Sequence, residues 1–171
     1  MKDYRISKSK VKGMDDANLA WAVIEPMWND FDYSSGHKKV NKFLSSVTKG
    51  QAALISLDWC QKIIRNDGFE GFFMSGVGVL SENALQGFSL IGADCYADLL
   101  KRSFAYFPNE IPPISVSGRT KILRKIPKSE REQFFDNLES KFFDLLQTEQ
   151  HDLEKYRASY VKNNPEEFFI D

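Results

Sequence analysis

TKGQAALISLDWCQKIIRNDGFEGFFMSG, residues 48–76, decides the fold. Thr48 is a side-chain cap for a helix whose apolar positions are Leu54, Ile55, Leu57, Trp59, Cys60, Ile63 and Ile64. These cover more than one stripe, and a helix apolar over so much of its girth belongs at the centre of a bundle. Asn66-Asp67-Gly68 then supplies a stop, because Asn and Gly tolerate the backbone conformation that ends helices. Phe69, Phe72 and Phe73 follow at i, i+3 and i+4, one face of a new helical turn.

Upstream, Asp15, Asp16 and Asn18 are candidate caps for a helix with Leu19, Ala20, Val23 and Ile24, continued after Pro26 through Trp28 and Phe31. Val40, Phe43, Leu44 and Val47 recur at i, i+3, i+4 and i+7 after a break at Ser34-Ser35-Gly36. Downstream, Ser81 starts a helix through Leu85, Phe88 and Ile91, closed by Gly92. The next carries Tyr96, Leu99, Leu100, Phe104 and Phe107. Pro108, Pro112 and Pro113 impose an extended loop that Ser115–Gly118 continues, since proline has no amide hydrogen to give a helix or central strand. Lys121–Ile126 reads as one or two helical turns. Phe134, Leu138, Phe142 and Leu145 form the seam of a long helix, and Leu153, Tyr156, Tyr160 and Val161 that of the last one. The expectation is all-α: a single compact multi-helix domain over residues 14–171 with little or no sheet, behind a flexible basic arm at residues 1–13.

The expected core is Leu54, Ile55, Trp59, Ile63, Phe69, Phe72, Phe73, Phe88, Leu99, Phe134, Leu138 and Phe142. The 171 residues hold fourteen Phe, six Tyr and three Trp, a generous supply for it. The formal net charge of −1 weighs against direct nucleic-acid binding and against a strongly acidic decoy. The charge is uneven, however. Residues 1–12 carry five basic groups against one acidic, 116–126 four against none, and 127–171 six against eleven, a local net of −5. No apolar core follows the basic start as a secretory signal requires, and no run approaches the ~20 apolar residues of a membrane span. Cys60 and Cys95 read as buried thiols rather than a disulfide. The expected compartment is the cytoplasm, with no membrane contact.

Assembled chemistry is sparse. Gly76-Val77-Gly78-Val79-Leu80-Ser81 has serine where a dinucleotide fingerprint needs its third glycine, and it reads as a plain loop. His37 and His151 lack partners at metal spacing, so no metal or other cofactor is expected. Asp58 beside Trp59 reads as a hydrogen-bonded structural carboxylate. Two charged surfaces are the candidates. Arg119, Lys121, Arg124, Lys125 and Lys128 form a basic strip suited to anions. Glu132, Asp136 and Glu139 lie at i, i+4 and i+7 with Cβ atoms about 5–6 Å apart between successive groups, a row that imitates spaced phosphates.

Asn66-Asp67-Gly68-Phe69-Glu70-Gly71-Phe72-Phe73 resembles the Asn-Gly-Gly-Phe-x-Gln-Phe-Phe signature of the bacterial family named for DNA mimic protein nineteen. Asp67 stands for a glycine, Gly71 for the glutamine, and Ser75 for an asparagine. Ala84-Leu85 to Ile91-Gly92-Ala93, Tyr96 through Phe107-Pro108, and Tyr160 to Asn164-Pro165-Glu166-Glu167-Phe168 extend the similarity over residues 20–168. The resemblance implies a helical, non-catalytic cytoplasmic protein that displays carboxylates to a DNA-binding regulator. The signature residues Asn66, Asp67, Gly68, Phe69, Phe72 and Phe73 read as a structural corner. The functional expectation is therefore a protein-binding module, not an enzyme, acting through Glu132, Asp136 and Glu139. Its partner is another protein, with a homodimer as a further partner state. The alternatives are a nucleic-acid or anion binder using the basic segments, and an enzyme with a pocket the sequence does not reveal.

Overall fold

The computed structural model describes residues 2–171, so Met1, the first residue of the expected arm, lies outside the described residues. In chain order the helices are α1 (Asp16–Ala22), α2 (Glu25–Trp28), α3 (His37–Leu44), α4 (Lys49–Met74), α5 (Ser81–Leu90), α6 (Asp94–Arg102), α7 (Val116–Leu123), α8 (Lys128–Gln147) and α9 (Leu153–Asn163). Among the described residues the extended pairing is one isolated parallel bridge, Ile6 with Phe169. The all-α expectation holds.

α4 is the axis, packing against α5, α7, α8 and α9, while α1 lies on α9 and α6 bridges α5 to α8. Thr48 closes a reciprocal capping box with Gln51. The chain's last turn adds to this end: Glu167 accepts from the Gly50 amide and from the Tyr160 hydroxyl, and its own carbonyl accepts from Thr48 Oγ1 at 2.9 Å. Negative charge there complements the helix N-terminus. Leu54, Ile55, Leu57, Cys60 and Ile64 are sealed from solvent, as are Phe69, Phe72 and Phe73 after the corner.

Several expectations need correction. Residues 2–12 do not extend loosely. Tyr4 and Ile6 are buried, the Ile6 amide donates to Phe168 O at 2.9 Å, and the Tyr4 hydroxyl donates to Asp30 at 2.9 Å. Their burial outweighs the solvation of Arg5 between them and of the flanking lysines. Trp59, Ile63 and Phe134 are only half-buried. Trp59 stacks on Trp28 with ring centroids 4.5 Å apart, and Lys62 lies over Trp28, so this aromatic group caps the core at the surface. On α8 the neighbouring Phe135 points inward instead of Phe134. Ser115 does not prolong the loop; its hydroxyl caps α7 by accepting from Gly118 N at 3.1 Å.

Candidate functional site

The Asn-Asp-Gly stop is a break inside α4. Gly68 has φ +72° and ψ −179°, a region open almost only to glycine. The break frees the Phe69 amide, which donates to Glu139 Oε1 on α8 at 2.8 Å. Glu139 thus acts as a cap supplied from another helix. Burial pushes its carboxyl above the usual range, and the charges of Asp136 and Glu70 push the same way against the pull of the Phe69 amide. Next to it, Glu70 accepts from Arg131 Nε at 2.8 Å, while Arg131 Nη1 donates to Leu123 O and Ile126 O, both at 3.1 Å, closing the end of α7. The signature corner therefore ties α4, α7 and α8 together.

A Cβ at Gly68 would run into the Glu139 carboxylate. Gly68→Ala is therefore expected to cost about 2–4 kcal/mol, combining backbone strain with a displaced hydrogen bond. A urea midpoint equal to the wild type's would refute this.

The acidic row is divided by this arrangement. Glu139 is half-buried and committed to the corner. Glu132 is exposed and reaches Lys128 at 3.5 Å, whereas Asp136 is exposed with no side-chain partner among the described residues. Asp144, which the sequence reading did not single out, is also exposed on α8. Helical rise places it about 12 Å beyond Asp136.

The basic strip is also reduced. Arg119 is fully buried and is no anion site. Its Nε donates to Phe73 O at 2.7 Å, Nη1 to Pro113 O at 2.7 Å and Ile114 O at 2.6 Å, and Nη2 to Ser75 O at 2.8 Å. Burial draws its pKa down to about 10, still well above neutrality. The Gly-Val-Gly segment has a packing role: a Cβ at Gly78 would sit 2.7 Å from Arg119 Nε. Lys128 is engaged with Glu132. Lys121, Arg124 and Lys125 remain, exposed beside a cleft of about 440 Å³.

Asp58 is buried and accepts from Arg157 Nη2 at 3.1 Å, the structural use expected of it. One pairing escaped the sequence reading, Cys95 Sγ with His151 Nδ1 at 3.5 Å. Burial raises the Cys95 thiol's pKa, opposite to the activation a nucleophile needs. Among the described residues no three His, Cys, Asp or Glu side chains are grouped to hold a metal, and no helix is long and apolar enough to cross a membrane.

The family model described as "DMP19-like protein" matches residues 45–164, from the approach to α4 through the end of α9. No curated protein and no solved structure matches the chain.

Proposed function

We propose, from the premise that this chain belongs to the DMP19-like protein family, that it is a non-catalytic module binding a basic surface of another protein. The partner class is a DNA-binding regulatory protein, whose positive groove accepts carboxylates in place of phosphates. One observation carries the reading: α8 exposes Glu132, Asp136 and Asp144 over about 18 Å of helix, within a segment of local net charge −5. Glu139 supports the face indirectly, holding the corner and adding charge beside Asp136.

The test is affinity capture with the full chain from a native lysate, with and without nuclease, then association kinetics on the captured protein. Charge reversal at Glu132, Asp136 and Asp144 together is expected to lower the on-rate about tenfold or more at low salt, because such a face steers encounter. Thermal stability should stay unchanged, since all three are exposed. An unchanged on-rate would defeat the proposal. Capture that disappears with nuclease would favour the nucleic-acid reading, which Lys121, Arg124 and Lys125 and the exposed Lys8, Lys10 and Lys12 support, all without a salt-bridge partner among the described residues.

A further inference from the structure

A cleft beside the signature corner is built from groups that the acidic face does not use. Its volume is about 480 Å³, inside the span of roughly 300–1,000 Å³ usual for small-molecule sites. Its floor is one face of α4, because Asp58, Gln61, Lys62, Arg65 and Asn66 recur at i, i+3, i+4, i+7 and i+8. Its walls are aromatic, with Trp21 coming from α1 and Phe143 from α8. These rings are 39% and 37% exposed. Among the described residues they are the two exposed aromatic side chains, and both face this one cleft.

The groups are held before anything binds. Trp28 meets Trp21 edge-on, ring centroids 5.2 Å apart, and Lys62 Nζ rests over Trp28 at 4.5 Å and Trp59 at 5.7 Å. Lys62 and Arg65 are exposed and form no ion pair among the described residues. Asp58 is the one carboxylate on the floor, and Arg157 Nη2 donates to its Oδ1 at 3.1 Å. Its other oxygen, Oδ2, takes no hydrogen bond among the described residues. Glu154, the second partner of Arg157, does not line the cleft, nor do Asp67 and Asp144, exposed next to Asn66 and Phe143. The cleft and its direct partners therefore carry three cations against two carboxylates, while solvent screens the charges beyond.

We infer that this cleft binds a nucleotide, a ligand that joins a flat, nitrogen-rich ring to a phosphate. The ring stacks on Trp21 and Phe143, as bases stack on aromatic side chains in general. Lys62 and Arg65 take the phosphate through charge-assisted hydrogen bonds. A ring N–H donates to Asp58 Oδ2, and the Gln61 and Asn66 amides offer donors and acceptors to the rest of the base edge. An acidic peptide supplies charge but not the flat, hydrogen-bonding ring that two aromatic walls and a free carboxylate oxygen call for. Duplex DNA fits less well, because its bases are already stacked on one another. The inference is independent of the acidic face of α8.

The probes are adenosine and guanosine 5′-monophosphate, titrated into the full-length chain and read by calorimetry. Saturable binding of at least one, at one site per chain, is expected. Trp21→Leu and, separately, Arg65→Glu should each weaken it about tenfold or more. Arg65 has no ion-pair partner to lose, so Arg65→Glu should leave the melting temperature unchanged and keeps the test intact if Trp21→Leu loosens the fold. Absence of saturable heat with either nucleotide would overturn the inference. So would equal binding of the nucleoside without its phosphate, or inorganic phosphate competing as well as the nucleotide. Binding of a single-stranded oligonucleotide a hundredfold tighter than the mononucleotide, and lost in both variants, would overturn it in favour of a nucleic-acid strand.

Discussion

Arg119→Met is expected to lower stability by about 3–5 kcal/mol, because several carbonyls lose their donor at once and each one left unsatisfied costs about 1–3 kcal/mol. Methionine fills similar volume and removes the burial of charge, but it cannot donate. Four carbonyls then lose their bonds: Phe73 and Ser75 at the end of α4, and Pro113 and Ile114 in the loop. The first two belong to a helix C-terminus, where carbonyls lack intrahelical partners and a cation is favoured. Arg119→Lys should recover only part of the loss, because one ammonium cannot reproduce the planar fork that spans two segments. Chemical denaturation of the three proteins decides it. Wild-type stability in Arg119→Met would mean that water satisfies these carbonyls.

The second large effect is at Phe73. Its ring lies 5.2 Å from Phe72, 5.0 Å from Phe107, 5.9 Å from Phe104 and 6.0 Å from Phe135, with the side chain fully buried. Phe73→Ala leaves a cavity where α4, α8 and the end of α6 converge, expected to cost about 3–5 kcal/mol. That corresponds to a melting temperature lower by about 6–20 °C for a chain of this size. Trp59→Ala should cost less, since Trp59 is half-buried against Trp28 and Tyr33. A reversed order between these two variants would show that the surface tryptophan cluster, and not the phenylalanine cluster, carries the core.

What the sequence made legible follows from range. The course of α4, the stop at Gly68 and the helical turn of Phe69, Phe72 and Phe73 depend on near neighbours, and period and capping chemistry reveal such features. The choice between Phe134 and Phe135 is not local. Both adjoin the Leu138–Phe142 seam, and only the approach of Phe73 on another helix brings Phe135 inward. Arg119 was misplaced on the anion strip because arginine in a basic run is ordinarily solvated. The carbonyls that claim it lie as far as 46 residues away. Glu139 looked equivalent to Glu132 and Asp136 until the Phe69 amide, 70 residues distant, set it apart. Among residues 2–12, Tyr4 and Ile6 alternate as a docked segment would, a signal that five basic side chains mask.

The bridge between Ile6 and Phe169 bears on the order in which the fold forms during synthesis. The Ile6 amide donates to Phe168 O and the Ile6 carbonyl accepts from Ile170 N. On a ribosome adding roughly 5–20 residues per second, the partners of Ile6 are made about 10–30 seconds after it. Throughout that interval the opening segment lacks these partners, although Asp30 and Phe43, which also receive Tyr4, are already present. Residues 2–6 therefore reach their final pairing long after they are made. A nascent chain arrested before Phe168 should show residues 2–6 open to protease while α4 is already protected.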